Sequence, residues 1–557
     1  MFGQRLHLRR SRVAAAVLVA ALLGAVAVPA VARTSALASA AAMRAAAAYS
    51  YTYEKVRVPM RDGTEISAEV WRPVAPTPPP GEAPQKFPAV LHFTPYHALQ
   101  VLNTPSITNP ATLPDADASF LVPRGYAYVF ADLRGTWNSG GCWNYGGADE
   151  RKDGYDLVEY FGTRDWSNGK VAMQGVSYPG TTPNATAVEQ PPHLATIVPM
   201  SAISRWWGYA YQQGARSLYS GESADIDPPS DTPGDFMTEY SAPGPDAPLH
   251  PDQTAQRWSP LCGQAQKAYE GYNANPDYTE FWTQRDYLRD AAKVQVPVLV
   301  THGQLDFNVK TWEGTAWFEA LPTEKVLVIG QWAHAHPRGK YTPGSVFKGD
   351  SWDKLLLRWY ERWLYGVDNK VEEEPAVRVQ TNDNRWHVRE QWASDTIQSL
   401  PLTGGTFTYF DDGALTESEM LRGQGAGTRY TRVSLPNTAG IHFAGRPVLN
   451  LVASSDMPTT NFSAVLVDVG PSDTKVVSRA FMNARYRDGT GMGKDLVAGQ
   501  KATFGLEFID KDYVVAANRH LELLISSSST TWVVPSPMRA NNTLYLNEST
   551  LDLPVLP

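Results

Sequence analysis

From Tyr51 onward the apolar residues fall into short clusters divided by polar turns. VRVPM and ISAEVW flank Arg61-Asp62-Gly63 and predict a β-hairpin. The following runs do not alternate: PAVLHF (88–93), YAYVFA (126–131), VAM (171–173), ATIVPM (195–200), PVLVT (297–301) and VLVIG (326–330). Continuous β-branched runs of this length predict strands covered on both faces. Helical stretches lie between several of them, at 150–161 and 310–321, so the pattern predicts a parallel sheet with crossover helices. A further helix, SWDKLLLRWYERWL (351–364), places Trp352, Leu356, Trp359 and Trp363 on one face as a packing stripe.

The strand-helix alternation stops near residue 201 and resumes at Pro297. The interruption carries Trp206, Trp207, many tyrosines and the acidic, proline-rich run ADIDPPSDTPGDF. It is too long for a structureless loop and predicts a helical cap. After Gly366 the texture changes to short strands, among them RYTRVSL, PVLNLVAS, FSAVLVDV, ATFGLEF and LELLISSS, which predict an antiparallel sandwich of jelly-roll type. The expected organisation is a core in two parts, 50–200 and 296–366, a cap insertion over 201–295, and a C-terminal jelly roll over 375–550.

Composition narrows the function. A chain of 557 residues, 43% hydrophobic, has room for about two to four domains and is not globally disordered. Lys plus Arg is 49 against 57 Asp plus Glu, so no basic excess marks nucleic acid as a partner. The first residues differ from the rest. Arg5, Arg9, Arg10 and Arg12 precede the apolar run Val13 to Val28 and the small-residue site Ala30-Val31-Ala32, which predicts a secretory signal peptide over 1–32. The alternative is an uncleaved anchor, since Val13 to Ala32 is just long enough to span a bilayer. Once the leader is cleaved, no apolar stretch is left for stable membrane association, and a secreted product is expected. In an oxidising compartment the two cysteines, Cys142 and Cys262, are expected to pair.

The strongest chemical signal is VAMQGVSYPG (171–180). A buried strand runs through Gly175-Val176-Ser177-Tyr178-Pro179-Gly180 into a helical stretch. A serine on such a turn holds its hydroxyl out at the sheet edge beside helix N-terminal amides. Here Pro179 takes the second glycine position of G-x-S-x-G, and Gly180 follows. In an α/β-hydrolase the acid and base come later in the chain, in that order. PVLVTHGQLDFN leaves Asp306 just past a strand, and VLVIGQWAHAH leaves His334 past the next. Ser177, Asp306 and His334 would then meet at the carboxyl ends of three strands. His336 is the rival base, and His302, His334 and His336 could instead be a metal set, a reading that leaves the serine turn unused. The sequence carries no phosphate loop, CxxC or haem motif, so no cofactor or metal is expected.

Tyr96 in FTPYHA, ADLRGTWNSGG (131–141), GVSYPG, THGQLDFNVK (301–310) and QWAHAH (331–336) occur together, and with them the chain resembles one group of serine hydrolases. That group comprises the Xaa-Pro dipeptidyl-peptidases, the cocaine-esterase-like enzymes and the α-amino-acid ester hydrolases. The resemblance spans roughly 52 to 535. It implies an α/β-hydrolase core with Ser177 as nucleophile, His334 as base and Asp306 as its orienter. It also implies an oxyanion hole made by the Tyr96 hydroxyl and the Tyr178 backbone N–H. Thr136 and Trp137, where such loops often carry glycine, are departures from which nothing is expected to follow. HGQLDFNVK is most similar to the dipeptidyl-peptidase branch, which implies a small peptide as substrate, with a small ester as the alternative. A free α-ammonium calls for carboxylates and a proline ring for aromatic walls, and the cap offers Glu222, Asp225, Asp227, Asp231 and Asp235 with Trp206, Trp207 and Tyr211. The other class of reading is a non-catalytic glycan-binding protein, for which the Ser/Asp/His/Tyr set has no use.

Overall fold

The computed structural model describes Arg44 and residues 46–97, 112–218 and 276–557, apart from 345, 348 and 490. Ten strands form the main sheet: β1 (Tyr51–Pro59), β2 (Glu65–Pro73), β3 (Phe87–Thr94), β4 (Ala127–Asp132), β5 (Ser167–Val176), β6 (Leu194–Met200), β9 (Val298–Gly303), β10 (Lys325–Gly330), β11 (Val377–Gln380) and β12 (Trp386–Arg389). Their spatial order is β1-β2-β4-β3-β5-β6-β9-β10-β11-β12. The block from β4 to β11 is parallel, while β1, β2 and β12 pair antiparallel at the two ends. β7 (Tyr211–Gln212) and β8 (Ala215–Arg216) form a separate short hairpin.

The non-alternating strand sequences are explained by burial on two sides. Leu91, Val129, Met173, Ile197, Val300 and Leu327 point into one core, and their chain neighbours Val90, Tyr128, Ala172, Val198, Leu299 and Val328 into another. Helices α2 (Ala148–Gly162), α3 (Tyr178–Ala187) and α6 (Thr311–Ala320) cover the first face. Helices α1 (Ala116–Leu121) and α7 (Trp352–Tyr365) cover the second. α7 is the predicted amphipathic helix: Trp352, Leu355, Leu356, Trp359, Tyr360 and Leu364 are buried, and Trp363 lies at the margin. The Ser351 hydroxyl caps its first turn, and Gly366, at φ 72°, ends it in a conformation that favours glycine.

Two expectations are modified. Strands β11 and β12 join the main sheet, so that sheet continues to Arg389, beyond the expected end of the core at 366 and into the segment 375–550 assigned to the C-terminal domain. The β11 run VRVQ reads as one more short strand, and only its pairing with β10 shows which sheet it joins. The described flanks of the expected helical cap, 201–218 and 276–295, hold only short elements. They hold α4 (Trp206–Ala210), the β7–β8 hairpin, α5 (Glu280–Thr283) and a 3₁₀ segment (Leu288–Lys293). Rings of this region pack into the core, and Gln212 and Gln213 bond to the backbone of the C-terminal region, so tertiary contacts set its path more than helix propensity does. The middle of the insertion lies outside the described residues.

The described C-terminal region holds two larger antiparallel sheets and a two-stranded one that pairs His442–Gly445 with Lys511–Val514. Of the larger two, one contains Ile397–Pro401, Thr406–Asp411, Val448–Ser455, Ala502–Glu507, Ala540–Tyr545 and Thr550–Pro554; the other contains Thr431–Ser434, Asn461–Val469, Thr474–Asn483 and His520–Ser526. Alternate residues such as Leu449, Leu451 and Ala453 from the first and Leu521, Leu523 and Ile525 from the second share one core.

Candidate active site

Ser177 sits between the end of β5 and the first turn of α3, at φ 70° and ψ −125°. A non-glycine residue there stores about 1–3 kcal/mol of strain, held by its surroundings. Those surroundings leave no space for side chains. A Cβ on Gly175 would lie 2.7 Å from Pro179, and one on Gly180 would lie 2.6 Å from the carbonyl oxygens of Gly175 and Met200. This accounts for the unusual elbow. Close packing needs glycine at 175 and 180, while position 179 lies in the first helical turn, where proline costs no hydrogen bond.

Tyr96 follows β3, the neighbour of β5, and its hydroxyl lies 3.1 Å from Ser177 Oγ. The Tyr178 backbone N–H points to the same hydroxyl at 3.4 Å. The two predicted oxyanion donors therefore converge beside Ser177. Burial pushes the Tyr96 phenol above its ordinary range, although Ser177 and the Tyr178 amide pull it back, so it stays a protonated donor. The Tyr178 side chain turns away from the reacting atoms. Its hydroxyl donates to Glu150 (2.7 Å) and accepts from the Trp143 indole (3.0 Å).

Asp306 is fully buried in the turn after β9. Its Oδ1 accepts the backbone N–H groups of Val309 (2.9 Å) and Asn308 (3.1 Å), and its Oδ2 accepts from His334 Nδ1 at 2.7 Å. That bond selects the tautomer in which His334 Nε2 is the basic nitrogen. The other histidines are committed elsewhere. His336 Nδ1 accepts from the Arg338 N–H and its Nε2 donates to Asp117 (3.2 Å), while His302 Nε2 donates to the Val309 carbonyl (2.8 Å). His334 is thus the histidine on the acid, and the rival is excluded by position.

Ser177, Tyr96 and His334 line one cavity of about 700 Å³. Its wall also carries His336, the rival base of the sequence, and His92, Asp115, Asp117, Asn308 and Arg338, which sequence reasoning missed. His92 lies inside a buried strand run, Asp115 reads as a helix cap, and neither context signals a cavity. Burial pushes His92 down to about 4, so its ring is neutral at neutral pH. Burial, with Asp117 next to it, raises Asp115 to about 6. Burial would raise Asp117 as well, but His336 and Arg338 outweigh it and hold that carboxyl below its ordinary range.

The predicted pocket residues are placed differently. Trp206 is core: its indole donates to Tyr287 (2.9 Å) and packs on Tyr145 and Tyr178. Trp207 donates to the Pro276 carbonyl and lines a separate cavity of about 270 Å³, together with Tyr211, Trp312, Arg446 and Tyr486. Neither lines the cavity at Ser177, because α4 turns both rings into packing sites. Glu222, Asp225, Asp227, Asp231 and Asp235 lie outside the described residues. Cys142 is disulfide-bonded, and the chain's other cysteine, Cys262, lies outside the described residues. Trp137, in the DLRG stretch, adopts φ 40° and packs on His97, which pairs with Asp132 at 2.7 Å beside Tyr96. The departure from glycine there places a ring against His97, the residue that follows Tyr96.

Fold and site together define an α/β-hydrolase of the serine-hydrolase class. A family model described as X-Pro dipeptidyl-peptidase (S15 family) matches residues 62–336, and one described as the X-Pro dipeptidyl-peptidase C-terminal non-catalytic domain matches 369–553. The chain belongs to the S15 family. The Xaa-Pro dipeptidyl-peptidase of Lactiplantibacillus plantarum is 30% identical over 50% of this chain and 35% of its own length. A Bacillus cereus relative provisionally named for the same activity is 27% identical over 78% of this chain and 76% of its own. Among solved structures, an α-amino acid ester hydrolase matches with TM-score 0.66 at 19% identity, covering 92% of this chain and 97% of that one. A CocE/NonD family hydrolase from Staphylococcus aureus matches with TM-score 0.69 at 16% identity, covering 90% and 94%. These two show the fold.

Proposed function

We propose that this protein is a secreted hydrolase that releases Xaa-Pro dipeptides from the free N-terminus of small peptides through an acyl-enzyme. The observation that carries the reading is the convergence of Ser177, Tyr96 and His334 on one cavity, with Asp306 behind the histidine. Ser177 Oγ attacks the carbonyl carbon as His334 Nε2 takes its proton, and the developing oxyanion is held by the Tyr96 hydroxyl and the Tyr178 N–H. His334 gives that proton to the leaving amine. Water then attacks the acyl-Ser177 ester with His334 as base, releasing the dipeptide and restoring Ser177.

The family and its named relatives support proline specificity. The cavity wall supports a cationic amino terminus, since it brings Asp115 and Asp117 together with one arginine, Arg338. Ester hydrolysis is the second reading, because the same acyl transfer serves esters and an ester hydrolase shares the fold. The test compares a free-amine Ala-Pro anilide, its N-acetyl form and a simple aryl ester. Cleavage of the first alone is expected. Equal cleavage of both anilides would remove the amine requirement, and turnover of the aryl ester alone would establish the esterase.

Export is part of the proposal and rests on residues 1–32, which lie outside the described residues. Amino-terminal sequencing of protein recovered outside the cytoplasm is expected to begin near Arg33 or Ala41. An intact Met1 on cytoplasmic protein would contradict it.

A further inference from the structure

The turn that carries Asp306 is gripped from two sides. On the inner side the Gln304 N–H donates to the Gly330 carbonyl (2.7 Å) and the Leu305 N–H to the Trp332 carbonyl (3.0 Å), both within the hydrolase core. On the outer side the partners come from the C-terminal region. Lys511, buried at 3% exposure, donates from Nζ to the Gln304 carbonyl, and the Asp512 N–H donates to Gln304 Oε1 (2.8 Å). The next residue after Asp306, Phe307, packs on Trp532 at 5.2 Å, with the Arg479 guanidinium 4.5 Å and the Lys511 ammonium 5.4 Å from its ring centre. Arg479 is itself fixed by two 2.6 Å bonds to Glu417.

A buried ammonium that bonds a carbonyl is costly to keep. Burial and Arg479 push Lys511 down, to about 7, while Asp510 and Asp306 favour its charged form. Asp306 also faces the His334 and His302 rings and Lys310, which burial lowers to about 8 against the pull of Asp306 and Glu313. The Asp306–His334 pair therefore lies in the field of two buried lysines, one from each part of the molecule. A nearby positive charge disfavours imidazolium and keeps the base ready to accept the serine proton.

We propose that Lys511 is a positioning residue for the acyl-transfer reaction: from the C-terminal region it fixes the turn bearing Asp306 and, by its charge, biases the Asp306–His334 pair toward neutral imidazole. This assigns a part in the chemistry to a domain whose family model is described as non-catalytic. It rests on the serine-hydrolase site and not on the choice of substrate.

The test is the rate of Ser177 modification by a fluorophosphonate, followed against pH in the full-length protein, which requires no knowledge of the natural substrate. Lys511→Met is expected to slow the plateau rate about tenfold and to move the acid limb about half a pH unit upward. Lys511→Arg keeps the charge and is expected to return the acid limb to its wild-type position. Lys511→Gln, a polar variant that also serves if the methionine protein does not fold, keeps a donor for Gln304 and is expected to show the upward shift with most of the plateau rate. Wild-type labelling of Ser177 with an unmoved profile in the uncharged variants would overturn this proposal alone. Absence of Ser177 labelling in the wild type would overturn the nucleophile assignment and this proposal with it.

Discussion

Ser177 and Tyr96 stand on neighbouring strands in the middle of the sheet. The groups that shape the serine turn, from Trp143 and Glu150 to Gly175, Gly180 and Met200, all belong to the core before the cap insertion. Asp306 and His334 stand two and three strands further along, and the turn between β9 and α6 is held by the core and the C-terminal region together. The nucleophile half is defined by short-range sterics, where glycines are needed because backbone fills the space. The acid half is defined by long-range contacts, where residues about two hundred positions away fix the turn 304–310. A proposed catalytic residue can thus be fixed by its own turn or by a distant domain, and this structure holds one of each kind.

The sharpest way to test the contrast is to remove one member from each half. Ser177→Ala is expected to lower kcat about 10⁶-fold, leaving only what the oxyanion donors and binding supply. Asp306→Asn is expected to cost about 10⁴-fold, since His334 stays in place but loses the partner that fixes its tautomer. Steady-state kinetics on whichever substrate the anilide and ester comparison selects measure both, and a cost at Asp306 equal to that at Ser177 would mean that the two halves act as one unit.

Tyr96→Phe tests whether the nucleophile half holds together without its hydroxyl. A loss of about 10²-fold in kcat with KM nearly unchanged is expected, because the hydroxyl serves the oxyanion and not the ground state. A loss confined to KM would place Tyr96 in substrate binding instead.

The smallest effect is expected from the buried support behind the elbow. Burial raises Glu150 from its ordinary range to about 7, against the bonds it receives from Tyr178 and the Gly146 N–H. The folded state therefore binds the proton more tightly than the unfolded chain. This contribution to stability is fully present below about pH 4.5 and is lost as pH rises through about 7. Glu150→Gln is expected to flatten the pH dependence of the unfolding midpoint across that window, by about 1–3 kcal/mol at its upper end. Thermal unfolding followed at several pH values would show it, and an unchanged slope would remove Glu150 as its source.

Much of this architecture was legible in the chain because its causes are local. The non-alternating runs at 88–93, 195–200 and 297–301 became β3, β6 and β9, since a strand covered on both faces needs apolar residues at every position. GVSYPG marked the elbow because Gly175 and Gly180 answer to each other's turn, with Met200 of the adjacent strand β6 closing on Gly180. A serine elbow calls for an acid and then a histidine later in the chain, and the ends of two later strands supplied Asp306 and His334. Packing between distant segments decided the rest. His334 and His336 are two residues apart and alike in sequence, and only the positions of Asp306 and Asp117 separate base from bystander. Trp206 and Trp207 had the composition of a pocket wall, but the first is core and the second faces another cavity, because a ring's surroundings depend on what folds back over it. Strands β11 and β12 joined the main sheet, and Lys511 reached the catalytic turn, through pairings that no local pattern encodes. Sequence fixes what a residue can do through sterics and hydrogen bonds within a turn or two, and tertiary structure determines which partner it meets.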